Sequence, residues 1–232
     1  MKTAKPIACP EESVLELRER SGKYSFLSRL LAVPPNTAVL EDIQLLEWMG
    51  QDWKPDLETL QVEFTRLFSV PGQEAIAAHQ SVYTDVLRIE SSGTDSLGCG
   101  MSFEGGEFRG YLGGESCAQL THWYASSAFQ PLNSSSVMAD HIATELAFFA
   151  HLYLAEARAC EAGEVEEAGA FQELHKEFYT QFLGRWVKTF GEKLAANTAS
   201  EFYRRIGRHV LIEVCVLKAH YSLVRCMQGR RD

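Results

Sequence analysis

Apolar residues recur along most of the chain at the three- and four-residue spacings of an amphipathic helix. A first run, residues 11–33, stops at two prolines, which cannot continue a helix. A second run covers residues 37–49, and a third begins after Pro55 and ends at the pair Pro71-Gly72. The apolar face of this third run consists of Leu57, Leu60, Phe64, Leu67 and Phe68. The pattern predicts three helices in this part of the chain.

Glycine interrupts the helical pattern between residues 93 and 114, a stretch that holds 8 of the 17 glycines. Glycine at this density disfavours a helix. The flanking segments Val86–Ile89 and Phe108–Leu112 have the composition of short strands. We therefore expect either a small β-hairpin or a flexible loop at residues 86–114.

The second half of the chain is predicted to be helical with one long break. Helix returns at residues 115–127, and the segment 129–139 interrupts it. Three long helical patterns follow, at residues 140–161, 164–197 and 198–227. Glycines near 184–191 and at Gly207 favour one break in each of the last two. The final run is apolar almost all round, which is typical of a helix at the centre of a bundle.

These patterns predict an all-α protein. We expect a single helical-bundle domain of roughly eight helices over residues 1–232, with the glycine-rich loop or small hairpin inserted at 86–114. The break at 129–139 is a possible point of subdivision. Helices joined by such a break can be exchanged between two copies of a chain, so a monomer and a domain-exchanged homodimer are both open.

Composition excludes several classes of function. The formal net charge of −9 disfavours nucleic-acid binding and makes a basic peptide the more natural partner. No two of the six cysteines form a C-x-x-C pair, so a zinc ribbon is absent. Three of them, Cys160, Cys215 and Cys226, lie in helical patterns where free thiols act as small hydrophobes, and we expect no structural disulfides. The start of the sequence lacks a signal-peptide pattern, and no run is long and apolar enough to span a bilayer. We expect a cytoplasmic protein with no stable membrane insertion.

Catalytic motifs are missing from the sequence. There is no phosphate-binding G-x-x-x-x-G-K-[ST] loop, no G-x-S-x-G elbow and no Glu-x-x-His pair. His141 and Glu145, four residues apart, share one helix face and are the only support for a metal-dependent enzyme. A capping or hydrogen-bonding role suits them better than metal binding. Asp140, directly after the long break, is placed to cap the helix that follows.

Four segments, taken together, resemble the TorD/DmsD/NarJ family of redox-enzyme maturation chaperones. They are Glu63–Gly72 (EFTRLFSVPG), Ser81–Asp85 (SVYTD), Asp140–Leu152 (DHIATELAFFAHL), and Phe178–Trp186 followed by Phe202-Tyr203. The third, with its Asp-His-x-x-x-Glu-Leu helix start, is the most specific. The segments occur in the family's order and span about residues 60–205.

The resemblance implies a cytoplasmic chaperone with no catalytic activity, cofactor or metal of its own. Its partner would be the apo-form of a molybdenum-containing oxidoreductase, bound at its twin-arginine signal peptide, its core or both. The chaperone would assist cofactor insertion and delay export through the twin-arginine (Tat) pathway until maturation is complete, a form of Tat proofreading.

We expect the peptide groove between residues 64–72 and the helix start at 140–145. Aromatic and aliphatic side chains would form its apolar wall, carboxylates would pair with arginine, and a histidine and a tyrosine would hydrogen-bond the peptide backbone. The wall residues are Phe64, Leu67 and Phe68, the carboxylates Asp140 and Glu145, and the hydrogen-bonding pair His141 and Tyr83. Pro71, Gly72 and His79 complete the candidate peptide-binding set.

Two other interpretations remain open. One is a NarJ-type assembly chaperone for a nitrate-reductase-like subunit that is not exported. The other is a helical metal-dependent enzyme that uses His141 and Glu145. The sequence departs from the family pattern at Val137–Ala139, where Glu-Pro is usual, and at Ala77–His79, where prolines are usual. These departures bear on the identity of the client more than on the fold.

Overall fold

The fold is described from a computed structural model. The described residues are 13–46, 48–50, 52–70, 72, 74–89, 106–131 and 137–228. At residue 220 and residues 222–228 the backbone alone is described. Pro71 of the candidate set, and residues 90–105 of the glycine-rich stretch, lie outside the described residues.

The described residues confirm the all-α class. Over the described ranges, the regular structure consists of nine α-helices, one π-helical turn and one two-stranded sheet. The helices are α1 (Val14–Ala32), α2 (Thr37–Leu45), α3 (Leu57–Phe68), α4 (Gln80–Thr84), α5 (Glu115–Ser126), α6 (Ile142–Ala162), α7 (Val165–Phe178), α8 (Gly184–Asn197) and α9 (Glu201–Gln228). The strands are β1 (Leu87–Ile89) and β2 (Gly106–Phe108). Of the described helices, none is long and apolar enough to cross a membrane.

Helix α6 lies at the centre of the bundle, and α1 packs along it. Helix α1 begins with a capping box. The Ser13 side chain accepts a hydrogen bond from the Glu16 N–H, and the Glu16 side chain accepts one from the Ser13 N–H. Two serines of α1 then donate to carbonyls of α6: Ser21 Oγ to Ala150 O at 2.9 Å, and Ser28 Oγ to Ala143 O at 2.7 Å. Small hydroxyl side chains let the two backbones approach closely.

The prediction that the final helix occupies the centre is wrong. Helix α9 buries one face, but Ile212 and Val216 on its other face are 55% and 42% exposed. The central position belongs to α6, whose buried residues surround almost its whole circumference. Apolar residues almost all round a helix therefore do not fix which helix is innermost, since some of them remain exposed.

The two ends of the segment 86–114 pair with each other as the predicted β-hairpin and not as a structureless loop. Strands β1 and β2 pair antiparallel, with Leu87 opposite Phe108 and Arg88 opposite Glu107. Arg88 Nε lies 3.0 Å from Glu107 Oε1. The second strand ends at Phe108, whereas the sequence pattern had placed it at Phe108–Leu112.

A π-helical turn, Tyr179–Leu183, joins α7 to α8 without a cap between them. Buried side chains repeat here every four residues, at Phe178, Phe182, Trp186, Phe190 and Leu194. A strict four-residue repeat drifts around an α-helix of 3.6 residues per turn. The extra residue in the π turn corrects this drift, so the α7 and α8 residues face the same core. The interruption predicted near 184–191 therefore takes the form of a π turn just before it.

The predicted break at Gly207 is absent, because this glycine lies inside the continuous helix α9. It faces α8 at very short range. A Cβ built on Gly207 would lie 2.7 Å from the Ala195 backbone N and 2.9 Å from Gly191 O. Only a glycine allows the two backbones to approach this closely, so Gly207 is a packing residue and not a helix breaker.

We predict that Gly207→Ala destabilises the protein by about 1–3 kcal/mol, because the atoms the new methyl group meets are backbone atoms that cannot turn aside. Thermal or urea unfolding followed by circular dichroism measures the change.

Gly169→Ala is the matched control in α7, since a Cβ there meets nothing within 4 Å. The free energy of unfolding of this variant should rise by up to about 1 kcal/mol, because alanine has a higher helix propensity than glycine. Equal effects of the two substitutions would contradict the close contact between α8 and α9.

Candidate functional site

A short antiparallel bridge joins the segment before α4 to the start of α6. His79 pairs with His141, the Gln80 N–H donates to Asp140 O at 2.8 Å, and the Ile142 N–H donates to Ala78 O at 2.8 Å. We call this contact the 79–141 junction. It brings together the second and third segments on which the family resemblance rests.

Asp140 is fully buried at the 79–141 junction. Its Oδ2 accepts hydrogen bonds from Ser81 N at 3.1 Å and from Ser81 Oγ at 2.5 Å. Ser81 lies in the first turn of α4, so Asp140 satisfies a free N–H of α4 and not of its own helix. The prediction that Asp140 caps the helix that follows is therefore wrong. The bridge at residue 141 delays the start of α6 and shifts the capping position by one residue.

His141 is the actual N-cap of α6. Its Nδ1 accepts a hydrogen bond from Ala143 N at 3.2 Å, which requires this nitrogen to be unprotonated. Burial, with a smaller effect of the neighbouring His79 ring, lowers the pKa of His141 to about 4. The two rings meet edge to face with centroids 4.9 Å apart. Burial also lowers the pKa of His79. Both histidines are thus held neutral near pH 7.

Glu145 lies one turn further along α6 and is also fully buried. Its Oε2 accepts a hydrogen bond from Trp186 Nε1 at 3.2 Å. Burial raises the pKa of Glu145 well above its ordinary value, and the Asp140 charge acts in the same direction. Trp186 belongs to the fourth resemblance segment, but it was not predicted as a site residue. Its sequence environment indicates an aromatic core position and gives no sign of an acidic partner.

The side chains around the junction retain unpaired polar atoms. Among the described residues, the buried side-chain atoms without a hydrogen-bond partner are Gln80 Nε2, Gln80 Oε1, Asp140 Oδ1 and Glu145 Oε1. Buried polar groups are normally paired, since an unpaired one costs about 1–3 kcal/mol. Two of these residues lie in the junction and the third lies one turn further along α6. This concentration sets the region apart from the rest of the described core and is typical of a functional site.

Tyr83 connects the junction to the surface. Its hydroxyl donates to Ala77 O at 2.8 Å, and its ring packs on Trp186 with centroids 5.2 Å apart. Lys193 Nζ lies 4.8 Å from the centroid of the Tyr83 ring. Burial raises the pKa of Tyr83 to about 12. The ring is therefore neutral, held in one orientation and half-buried.

The predicted apolar wall lies largely inside the core. Phe64 and Leu67 are buried, while Phe68 is half-buried against Phe64 at a centroid separation of 4.9 Å. Gly72 is exposed. Leu67 O accepts a hydrogen bond from Ile76 N at 2.7 Å, which folds the following loop back onto α3.

The opposite face of α3 and this loop enclose a groove of about 550 Å³, which we call the α3 groove. Val62 and Val70, 64% and 54% exposed, give it apolar walls. Among the described residues, its lining consists of Gln61, Val62, Thr65, Arg66, Val70, Gly72, Glu74 and Ala75. Of these, only Gly72 was predicted from the sequence as a site residue. Val62 falls outside the apolar stripe of α3, and an exposed valine by itself carries no signal.

An ion cluster fixes the base of the α3 groove. Arg66 binds Glu63 through two nitrogens, each 2.8 Å from a carboxylate oxygen, and also pairs with Glu74. Glu63 Oε1 accepts hydrogen bonds from Thr198 Oγ1 and Ala199 N, at 2.5 and 3.2 Å. The hydrogen bond from Arg66, with the others, lowers the pKa of Glu63 to about 2. The cluster therefore ties α3 to the turn between α8 and α9.

The His141–Glu145 pair has other bonding partners in this structure: His141 bonds the Ala143 N–H, and Glu145 the Trp186 indole. Within the part of the chain that the structure describes, no three His, Cys, Asp or Glu side chains are grouped so that they could hold a metal ion.

The fold is that of a known class of helical protein. A crystal structure from Archaeoglobus fulgidus, of a protein named as a proposed redox enzyme maturation protein, superimposes with a TM-score of 0.50. The match covers 84% of this chain and 93% of the other, at 18% sequence identity, and so concerns the fold alone. A search of curated proteins gives no significant match.

The family follows from the sequence. Residues 35–192 match the family model described as nitrate reductase delta subunit, and this is more than half of the chain. The chain therefore belongs to that family, which is of the NarJ/TorD chaperone type. The matched range contains the α3 groove, the 79–141 junction and Trp186. The resemblance drawn from the four sequence segments is confirmed.

We predict that Glu145→Gln is increasingly stabilised relative to the native chain as the pH rises from 4.5 to 8. The folded pKa of Glu145 lies above the 4.5 of an ordinary glutamate, so the folded chain retains a proton that the unfolded chain loses. Its contribution to stability is complete below pH 4.5 and falls as the pH rises. Glutamine keeps an acceptor for Trp186 and does not titrate. Urea unfolding at several pH values measures the difference.

His141 titrates in both proteins and cancels from this difference. Glu161→Gln is the control. The exposed Arg18 partner lowers the pKa of Glu161, so the stability that Glu161 contributes is lost only as the pH falls below 4.5, and its difference from the native chain stays nearly constant at higher pH. Parallel pH profiles for the native chain and Glu145→Gln would contradict the raised pKa.

Proposed function

We propose that this protein is a maturation chaperone that binds an N-terminal segment of a redox enzyme, namely the twin-arginine signal peptide and adjoining core of a molybdenum-containing oxidoreductase. It holds the apo-enzyme during cofactor insertion and delays export until maturation is complete. The observation that carries the proposal is membership of the nitrate reductase delta subunit family over a range that includes both the junction and the α3 groove. On this proposal the protein acts in the cytoplasm and catalyses no reaction.

The α3 groove suits such a client. A signal peptide combines a basic region with an apolar one. The groove offers exposed Val62 and Val70 for apolar contact, and Glu74, whose side chain is 69% exposed, lies on its rim. The formal net charge of −9 also favours the approach of a basic segment.

The buried carboxylates fit a positioning role better than direct contact. Asp140 and Glu145 are fully buried and bond Ser81 and Trp186. A client arginine reaches them only if the 79–141 junction opens. Their direct pairing with arginine stays a prediction, as do the backbone contacts proposed for His141.

The family description favours a second candidate. It names the nitrate reductase delta subunit, so a NarJ-type chaperone for a nitrate-reductase-like subunit that is not exported is the alternative. Both candidates use a client N-terminal segment. They differ in whether paired arginines in that segment are required.

Capture of the client tests the proposal. The affinity-tagged chain is expressed in its native host, and bound proteins are identified by mass spectrometry. We expect an unprocessed molybdoenzyme precursor. Val62→Glu should lower its capture at least about tenfold, because it places a charge against the apolar segment of the client. Leu45→Glu is the control, since Leu45 is 84% exposed at the end of α2 and outside the groove.

The outcomes separate the candidates. Loss of capture when the client's two arginines are changed to glutamine supports the signal-peptide proposal, and unchanged capture supports the NarJ-type alternative. Equal capture by the Val62→Glu and Leu45→Glu chains would remove the α3 groove from the proposal. Absence of any redox-enzyme subunit from the eluate would contradict both candidates.

A further inference from the structure

The ring of Tyr83 contacts both the core and a cation. It packs on Trp186, with centroids 5.2 Å apart and planes inclined by 33°. The ammonium group of Lys193 lies over the ring at 4.8 Å from its centroid, and we call the ring face that it covers the outer face. Tyr83 comes from α4 and Lys193 from α8, so this contact joins two elements of the bundle.

The ring is held rigidly before any partner arrives. The Tyr83 hydroxyl donates to Ala77 O at 2.8 Å, and Trp186 behind it is 1% exposed and fixed by the bond to Glu145. A tyrosine ring anchored by its hydroxyl and packed on Trp186 keeps its outer face in one orientation. Such a preorganised ring face attracts cations within about 6 Å of its centroid.

Lys193 is a weakly held occupant of that face. It is exposed, and among the described residues it forms no ion pair, whereas Lys188 on the same helix lies 3.4 Å from Glu192. An exposed lysine on a tyrosine ring contributes only a small free energy. Arginine stacks better on an aromatic face, because its guanidinium is planar and less strongly hydrated than an ammonium group.

We propose that the outer face of Tyr83 is a binding subsite for a cationic side chain, preferably arginine, of the client polypeptide, and that Lys193 occupies this subsite until the client displaces it. The inference rests on the proposed function and adds to it the residue that recognises the cation and the internal side chain that competes for the same place. Lys193 thus acts as an autoinhibitory contact that weakens binding of basic segments.

The test compares two acetylated and amidated peptides, each with an apolar segment after a pair of residues. The pair is arginine in one peptide and citrulline, its neutral analogue, in the other. Isothermal calorimetry with the full chain gives both dissociation constants. Lys193→Met should lower the dissociation constant of the arginine peptide about two- to fivefold and leave that of the citrulline peptide unchanged. Lys188→Met is the control, because it removes the same charge about 140° around α8.

Variants of Tyr83 complete the test. Tyr83→Phe keeps the ring, so Lys193→Met should still tighten binding of the arginine peptide in this background. Tyr83→Leu removes the ring and should weaken binding of the arginine peptide, and adding Lys193→Met to it should then have no effect. Unchanged or weaker binding of the arginine peptide by Lys193→Met would overturn the proposal while leaving the proposed function intact. So would an equal gain from Lys188→Met, which would indicate a general charge effect.

A second measurement applies if neither peptide binds, an outcome that counts against the proposed function. The Tyr83 ring is then observed by NMR in the ¹³C-tyrosine-labelled chain during titration with acetyl-arginine amide or acetyl-citrulline amide. A shift with the arginine compound alone, enlarged in Lys193→Met, supports the cation subsite independently of a peptide client. No shift in either chain overturns it.

Discussion

Two backbone hydrogen bonds across the 79–141 junction fix the geometry on which the candidate site depends. They join Gln80 to Asp140 and Ala78 to Ile142, residues that are about sixty positions apart in the chain. Once this bridge exists, Asp140 stands at the first turn of α4 and His141 becomes the N-cap of α6. The short helix α4 has five residues and would be marginal alone, so its stability comes from this contact. Tyr83, which α4 carries, is placed by the same bridge.

Much of the fold could be predicted because its signals are local. The three- and four-residue spacing of apolar positions predicted α1 and α3, and the prolines and glycines marked where they end. The error at Gly207 has a different origin. A glycine inside a helical pattern is ambiguous from sequence, because a break and a close helix contact both require it. Only the approach of Ala195 and Gly191 shows which one applies.

The candidate site was predicted less completely, since its contacts are long-range. The motif around Asp140 indicated that these residues matter, but Asp140 bonds Ser81, 59 positions earlier, and Glu145 bonds Trp186, 41 positions later. A helix-start motif favours a cap on its own helix, and this is where the interpretation of Asp140 failed. Val62 and Val70 were missed for the opposite reason: the helical pattern predicts the buried face of α3, and the α3 groove lies on the other face.

The two surfaces proposed for the client lie on one continuous segment of chain. Helix α3 supplies the groove with its outer face and the core with its inner face, and the loop that follows is pinned to Leu67 by Ile76. Three residues later the chain enters the 79–141 junction, and four residues beyond His79 lies Tyr83. The Ile76 N–H donates to Leu67 O at 2.7 Å, and the Tyr83 hydroxyl donates to Ala77 O. These two bonds fix the chain that connects the groove to the ring. The folded chain therefore holds both the groove and the ring in place by itself. Neither of the two proposed surfaces has to be assembled on binding, so a client would bear no cost of ordering them.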